Sequence, residues 1–246
     1  MPAGGTGLVL RGLQKEPAAI GKWHLGWDWT HKEGKAKTVD NIDFTKRVAN
    51  GPTDRGFDYF YGLTSPSGPP HLYMVNDMAE KQPNTRFEES GGGLYKIKGG
   101  IGHSDWSADG MQPHLADKML EYLDENKDSD KPFFLYMALT APHIPLFPSK
   151  EFKGKSKIGD YGDLVMMIDD IVGRVNRKLK EIGKYDNTIV MFAADNGCAG
   201  YINMDRINRK GHYPSYIYRG YKSHGWEGGH RIPFILSWGD RYGHVT

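Results

Sequence analysis

The amino-acid sequence predicts an α/β fold in which a mostly parallel central sheet carries helices on both faces. Three observations favour this class: short apolar runs of strand length, amphipathic segments of helical period, and helical segments that lead directly into strands. The 246 residues are enough for one large domain, and the chain contains no internal repeat. One domain is therefore the expected organisation.

Four apolar runs are predicted as buried strands, because each is short, apolar and bounded by turn residues. They are "AAIGKW" (18–23), "PFFLYMALT" (132–140), "NTIVMFAADNG" (187–197) and "RIPFILSW" (231–238). Two segments place apolar residues at helical spacing and are predicted as amphipathic helices. They are "HLADKMLEYLDEN" (114–126) and "YGDLVMMIDDIVGRVNRKLKEIG" (161–183), the second ending at a glycine.

Charge and composition exclude several classes of function. The 32 Lys and Arg residues nearly balance 30 Asp and Glu residues, so no global field favours nucleic acid or an anionic membrane. No stretch approaches the roughly 20 apolar residues of a membrane helix. The single cysteine, Cys198, excludes an internal disulfide. Because the net charge is small, any anion-binding site must be formed by a local cluster of basic side chains.

Polar side chains follow three of the predicted strands. Lys22 and His24 follow the first, His143 follows the second, and Asp195 with Asn196 follow the third. In open α/β sheets, ligands bind outside the carboxyl ends of the strands. We therefore expect these five side chains to converge.

Each of these signals has an ordinary alternative. Asp195 and Asn196 offer the oxygen ligands that Ca²⁺ or Mg²⁺ prefers, but D-N-G is also a common turn. His143 stands between two prolines, where it could serve an oxyanion or act as an acid, or simply cap a loop. Lys22 and His24 could bind an anion, or they could be solvated surface groups on a turn.

A fourth segment, "RGYKSHGWEGGHRIPF", places basic side chains among glycines. Its cations suit a tetrahedral anion, although a solvated loop is equally compatible with them. They are Arg219, Lys222, His224, His230 and Arg231. A divalent metal beside lysines and histidines suits transfer or hydrolysis of a phosphate or sulfate ester. Segment 51–112, rich in Gly, Pro, Ser and Asn, is predicted to be a loop-rich excursion over this face that sets specificity.

Five segments, in their order and spacing, resemble successive motifs of the type I sulfatases, the arylsulfatase family within the alkaline-phosphatase-like superfamily. They are "AAIGKWHLG", "TAPHIPL", "YGDLVMMIDDIVGRV", "NTIVMFAADNG" and "YKSHGWEGGHRIPFI", and the resemblance runs from about Leu13 to Trp238. It implies hydrolysis of sulfate esters of aryl compounds, carbohydrates or glycosaminoglycans. Full-length members are usually periplasmic, secreted or lysosomal.

The resemblance also implies roles for single residues. Lys22 and His24 would contact the nucleophile and the sulfate, and His143 would bind sulfate or assist the leaving group. Lys222 would neutralise sulfate oxygens. Asp195 and Asn196 would ligate Ca²⁺ or Mg²⁺. The partner would be a small-molecule or glycan sulfate ester.

The chain departs from the family pattern at the nucleophile. The family makes formylglycine from a C/S-x-P-x-R motif, whereas "AGY" follows Cys198 and the "SGPPH" from Ser67 ends in His71. The paired metal-binding aspartates expected upstream of "GKWHLG" are absent too. We therefore expect 1–246 to be a partial catalytic domain with no second domain, its sheet incomplete at both ends, and the chain to be poorly stable and inactive alone. A non-catalytic sulfated-glycan-binding module and a phosphoesterase of the same superfamily are the alternatives.

Overall fold

The computed structural model describes residues 16–239, so the two ends of the expected domain, 1–15 and 240–246, lie outside the described residues. The chain forms two compact units, Met1–Lys150 and Glu151–Thr246. Each unit is described by itself below. That the whole chain is one domain stays a prediction.

The first unit is built on a five-stranded sheet with the strand order β4-β3-β2-β1-β7. Its strands are β1 (Glu16–Lys22), β2 (Tyr59–Leu63), β3 (Met74–Val75), β4 (Met78–Ala79) and β7 (Phe133–Ala138). β1 pairs in parallel with both β2 and β7, whereas β3 and β4 add antiparallel pairs at one edge. β5 (Thr85–Phe87) and β6 (Gly100–Gly102) form a separate antiparallel pair. The predicted α/β class with a mostly parallel sheet is confirmed.

The two faces of this sheet are covered differently. Helix α1 (Met111–Glu125) buries Leu115 and Met119, and Tyr122 stacks on Tyr59 of β2. Strand residues alternate between faces, so Phe60 points the other way. It joins a cluster completed by loop side chains, among them Trp23, Ile42, Phe44 and Val48. In this unit a helix thus covers one face and loops cover the other, whereas the sequence predicted helices on both.

Segment 51–112 has long irregular stretches, yet it also supplies β2, which pairs with β1 in the middle of the sheet. This strand was not predicted from the sequence. The run "YFYGL" is only five residues long and contains a glycine, so its periodicity is weak. That the remaining loops of the segment cover a substrate-binding face stays a prediction.

The second unit combines a long helix with a strand pair. Its elements are α2 (Asp160–Glu181), β8 (Ile189–Ala193), α3 (Met204–Asn208), α4 (Glu227–His230) and β9 (Phe234–Trp238). The predicted stripe of α2 is buried, including Leu164, Met167, Ile171 and Val175. Within residues 16–239, no helix has the length and apolar character needed to cross a membrane.

β8 and β9 pair with each other, and they do so antiparallel. The sequence analysis assigned both runs to a mostly parallel sheet, and for this pair that expectation is wrong. A parallel pair requires a crossover of a dozen or more residues, usually a helix. The connection, 194–233, is long enough for such a crossover but contains only short helices, and the apolar runs themselves do not encode the direction in which the two strands pair.

Candidate functional site

Three predicted site residues lie at one edge of the first unit's sheet. Lys22 is the last residue of β1, His24 follows it, and His143 lies in the loop after β7. β1 and β7 are parallel neighbours with Gly21 opposite Ala138, so their carboxyl ends share an edge. The sheet therefore delivers two segments with lysine and histidine side chains to one side of the unit.

Glycines allow the strands to approach closely at this edge. Gly21 has a φ of 131°, and a Cβ atom there would lie 2.0 Å from the carbonyl oxygen of Ala138. A Cβ atom on Gly62 of β2 would lie 1.8 Å from the carbonyl oxygen of Gly21. No larger residue fits either position without moving the backbone. The glycine of "GKWHLG" thus fixes the strand end that carries Lys22.

His143 is oriented by its own loop. Its backbone N–H donates to the carbonyl oxygen of Thr140 at 3.0 Å. Its ring Nδ1 lies 2.6 Å from the carbonyl oxygen of Ile144. Since a carbonyl only accepts, Nδ1 carries the proton, and Nε2 is the ring atom that can take or give a proton to a ligand. Half-buried and held in this way, His143 suits proton transfer or anion binding.

The other three predicted residues lie on adjoining loops of the second unit. Asp195 and Asn196 follow β8, and two backbone hydrogen bonds join their loop to its neighbours. Gly197 N–H donates to the Gly229 carbonyl oxygen at 3.0 Å, and Lys222 N–H donates to the Cys198 carbonyl oxygen at 2.8 Å. These bonds bring the carboxylate, the amide and the lysine onto loops that pack against each other.

This packing also depends on glycine. A Cβ atom on Gly197 would lie 1.9 Å from the Gly228 carbonyl oxygen, and one on Gly229 would lie 2.1 Å from the His224 carbonyl oxygen. The loops therefore meet backbone to backbone, without side chains between them. The glycines of "DNG" and "EGG" are required by this contact.

The described donors do not complete a metal site. Asp195 is exposed, and the Asn196 side-chain amide donates to the Gly197 carbonyl oxygen at 3.0 Å, leaving Oδ1 as a ligand atom. No group of three His, Cys, Asp or Glu residues within 16–239 is placed to hold a metal ion. A calcium ion takes six to eight oxygen ligands. Two protein oxygens fall short of that number, so the described residues alone do not hold such an ion.

Most of the cations in the fourth segment have other partners. The Arg219 guanidinium lies 4.0 Å from the centre of the Trp226 ring, and that of Arg231 lies 4.8 Å from the Tyr218 ring. Arg231 also donates to the Glu227 carboxylate at 3.2 Å. These arginines therefore stabilise the loop through cation–π and ionic contacts. Lys222 is joined through its backbone N–H to the loop that follows Asp195.

Cys198 is not an activated nucleophile. Its Sγ lies 3.6 Å from the Tyr161 hydroxyl, and it is half-buried. Burial raises the pKa of the Cys198 thiol, and the opposing hydrogen bonds from its surroundings are smaller effects. The thiol is therefore protonated at neutral pH, and the thiolate is the reactive form of cysteine.

A polar network around the buried Tyr61 hydroxyl in the first unit was not predicted from the sequence. Tyr61 donates its hydroxyl proton to Glu80 at 2.8 Å, and its oxygen lies 2.6 Å from His114 Nε2. Burial raises the pKa of Tyr61 and lowers the pKa of His114, so both are neutral at pH 7. The network joins β2 to α1. No local sequence signal links positions 61, 80 and 114, because only the fold brings them together.

The predicted site residues thus fall into two groups, with Lys22, His24 and His143 in the first unit and Asp195, Asn196 and Lys222 in the second. Members of each group are brought to one sheet edge or to adjoining loops. That all six face one cavity stays a prediction.

The α/β fold, with basic and oxygen-donor side chains after its strands, is compatible with an enzyme that acts on esters of tetrahedral anions. The model of the Sulfatase family matches residues 9–245, so the match covers both units. The chain belongs to the sulfatase family.

Two relatives that are themselves described as sulfatases support this assignment. An N-acetylgalactosamine-6-O-sulfatase from Bacteroides thetaiotaomicron is 29% identical over 89% of this chain and 48% of its own length. An arylsulfatase from Hemicentrotus pulcherrimus is 30% identical over 89% of this chain and 35% of its own length. The chain thus spans about a third to a half of the length of these two relatives.

Solved structures agree with the fold. A structure described with the metabolism of multiple glycosaminoglycans by Bacteroides thetaiotaomicron has a TM-score of 0.74 and 27% identity, covering 93% of this chain and 53% of its own. A sulfatase from Pseudoalteromonas sp. has a TM-score of 0.64 and 25% identity, covering 94% of this chain and 44% of its own. The alkaline-phosphatase-like class expected from the motifs is consistent with both.

Proposed function

We propose that this chain supplies part of a site that hydrolyses sulfate esters. The observation that carries the proposal is the placement of Lys22 and His143 after neighbouring parallel strands, in a chain of the sulfatase family. Hydrolysis breaks the sulfur–oxygen bond of the ester. The alcohol oxygen leaves with a proton, and an oxygen derived from water ends on sulfur.

The side chains divide the work according to their chemistry. Lys22, His24 and Lys222 bind the non-bridging sulfate oxygens, because cations stabilise the charge held there. His143 binds sulfate or gives the Nε2 proton of its charged form to the leaving oxygen. Asp195 and Asn196 contribute two oxygen ligands to a divalent cation, Ca²⁺ or Mg²⁺, which would screen the sulfate charge when bound.

The chain alone is proposed to bind sulfate without turnover, because its 246 residues contain no C/S-x-P-x-R motif. The names of the two relatives favour a sugar or aryl sulfate as the ester. Assays with N-acetylgalactosamine 6-sulfate and 4-nitrophenyl sulfate, each with Ca²⁺, test whether the chain alone hydrolyses a sulfate ester. Turnover well above the uncatalysed rate would contradict it.

Sulfate binding itself is measured by calorimetry with inorganic sulfate. Replacing Lys22 or Lys222 by Ala removes a charge-assisted contact worth about 1.5–3 kcal/mol, so each should weaken binding about tenfold or more. Lys35→Ala, at an exposed loop lysine, is the matched control and should bind as the unaltered chain does. Unchanged binding in both site variants would exclude these lysines from the site.

A non-catalytic module that binds sulfated glycans is the second candidate, and the missing motif favours it. Genomic DNA upstream of the Met1 codon separates the two candidates. An in-frame C/S-x-P-x-R motif followed by this sequence supports the enzyme. A stop codon or an unrelated gene there supports the binding module.

A further inference from the structure

We infer that Gln112 is a positioning residue for His143, and that it acts through the backbone of Thr140. Gln112 lies in the first turn of α1, and Thr140 lies two residues after the end of β7. The two are 28 positions apart, so only the fold brings them together. This inference rests on the proposed function in one respect, because it concerns the orientation of a histidine that is proposed to meet sulfate.

The backbone of Thr140 is hydrogen-bonded on both of its sides. Its N–H donates to the side-chain oxygen Oε1 of Gln112 at 3.3 Å. Its carbonyl oxygen accepts the His143 N–H at 3.0 Å. Gln112 and Thr140 are both buried, so water competes little for the bond between them. Thr140 therefore links helix α1 directly to the turn that carries His143.

The far end of the same loop is attached separately. The Leu146 N–H donates to the Leu94 carbonyl oxygen at 2.8 Å. Between the two attachments, the ring Nδ1 of His143 lies 2.6 Å from the Ile144 carbonyl oxygen. A hydrogen bond weakens steeply when its angle or length departs from the optimum. Movement at the Thr140 end of the loop would therefore disturb the contact that fixes the proton on Nδ1.

Helix α1 gives Gln112 a firm base. Leu115 and Met119 of this helix are fully buried. The ring Nε2 of His114 lies 2.6 Å from the hydroxyl oxygen of Tyr61, which belongs to β2. These contacts fix the helix on the sheet whose strands carry Lys22 and lead to His143. A side chain that projects from this helix therefore holds the loop in place relative to the strands.

The stability of the helix alone does not explain the Gln112 amide. Its Nε2 atom is buried, and no described residue accepts a hydrogen bond from it. A buried donor without a partner destabilises the folded state. An unbranched apolar side chain such as methionine would avoid that cost. The acceptor bond to the Thr140 N–H is the described contact that methionine cannot make.

NMR of the histidine rings in the full chain tests the inference without any sulfate. Nitrogen-15 shifts distinguish the Nδ1–H from the Nε2–H tautomer, and His143→Gln assigns the signal. The Nδ1–H form should predominate in the unaltered chain. Gln112→Met should lower the ratio of the Nδ1–H to the Nε2–H form at least fivefold, because the loop loses its attachment to α1. Gln112→Glu keeps an acceptor oxygen for the Thr140 N–H, so its ratio should stay within about twofold of the unaltered chain.

Leu123→Val is the matched control. Leu123 is also buried in α1, but it lies about 16 Å further along the helix axis, so the change loosens packing away from Thr140. Circular dichroism first establishes that each variant folds. The tautomer ratio of His143 should be unchanged in this control. An unchanged ratio in Gln112→Met, or an equal fall in Leu123→Val or Gln112→Glu, would overturn the positioning role.

A second measurement needs no variant. The Thr140 amide of the unaltered chain should exchange its proton with deuterated water at least a hundredfold more slowly than an amide of an unstructured peptide. Exchange at the unstructured rate would overturn the inference even if Gln112→Met does not fold.

The tautomer ratio also separates this inference from the proposed function. A lowered ratio in Gln112→Met, in a chain that fails to bind inorganic sulfate, would support the positioning role and contradict the sulfate site. Sulfate binding by the unaltered chain together with an unchanged ratio in Gln112→Met would overturn the positioning role alone.

Discussion

His71 lies at a buried junction between the central sheet and the β5–β6 pair. Its backbone N–H donates to the Ile101 carbonyl oxygen at 2.9 Å, and its own carbonyl oxygen accepts from His103 at 2.8 Å. Ring Nε2 lies 2.7 Å from the Lys98 carbonyl oxygen and must carry the proton, because a carbonyl only accepts. No described residue contacts ring Nδ1 through a hydrogen bond.

This environment predicts a loss of stability in acid. Burial lowers the pKa of His71, and the bond to Lys98 offsets this only in part. In the unfolded chain the imidazole takes up a proton near pH 6.5, so below that pH the unfolded state binds more protons than the folded one. The free energy of unfolding should therefore fall as the pH drops from about 7 towards 5. Urea unfolding at a series of pH values measures it.

Two variants assign this pH dependence to His71. His71→Gln removes the titrating group, so the stability of the variant should depend less steeply on pH between 7 and 5. Part of the dependence should remain, because burial also lowers the pKa of His114. His212→Gln, at an exposed position, should keep the full slope. An equal slope in His71→Gln and the unaltered chain would contradict the assignment.

Single residues differed in how far the sequence could locate them. Lys22 and His143 were predicted correctly as strand-end residues, because apolar runs reveal where strands stop. The contacts among Tyr61, Glu80 and His114 were not predicted. Their chemistry depends on strand register and loop packing, which no local pattern encodes. The roles of all six predicted site residues stay predictions.

At the scale of elements, the close contact between β1 and β7 makes the strand end intolerant of side chains. Gly21→Ala would place a Cβ atom 2.0 Å from the Ala138 carbonyl oxygen, in addition to straining the backbone. We expect the free energy of unfolding to fall by more than about 3 kcal/mol, since backbone strain alone accounts for about 1–3 kcal/mol. Chemical denaturation followed by circular dichroism provides the measurement.

Gly26 supplies the matched control for this substitution. It has a φ of 95°, but a Cβ atom there would meet no atom within 4 Å. Gly26→Ala should therefore cost only the backbone strain. Equal losses of stability in the two variants would show that the contact with Ala138 does not constrain this strand end.

Helices were easier to predict than strand pairing. The helix expected at 114–126 runs Met111–Glu125, and the one expected at 161–183 runs Asp160–Glu181. Their hydrophobic stripes are local and long, so they can be read directly. β2 was missed because it is short, and β8 was given the wrong partner direction because pairing depends on the intervening connection. Long apolar runs thus reveal a strand locally, whereas short strands and strand order depend on the whole fold.

At the scale of the whole molecule, the β8–β9 pair presents a large apolar surface. Cross-strand partners Met191 and Leu236 are 59% and 52% exposed, and Phe234 on the same face is 65% exposed. Exposed apolar strands are sites of association with other chains. This surface is a physical basis for the poor stability expected of the isolated chain.

A charged pair should suppress that association. The double variant Met191→Glu, Leu236→Lys places opposite charges at paired positions, which preserves cross-strand attraction. We expect a higher monomer fraction in size-exclusion chromatography with light scattering, with unchanged circular dichroism. Met166→Lys, on an exposed position of α2, is the control and should leave the fraction unchanged. If the double variant associates as strongly as the unaltered chain, the strand pair is not the surface responsible.

The order of motifs along the chain predicts the family, and the family match over 9–245 confirms it. The division into two compact units was not foreseen. A unit boundary is a property of long-range contacts, and no shift in composition marks Lys150. Whole-molecule organisation was thus the level at which sequence reasoning was weakest.

The side-chain-free contact among Gly197, Gly228 and Gly229 has a practical consequence for directed evolution. A library that randomises these positions would consist mainly of clones that cannot close the loops around Lys222. Diversity belongs instead at 213–218, where exposed tyrosines can be exchanged without disturbing that contact. A library built on this chain should therefore hold the glycine codons fixed.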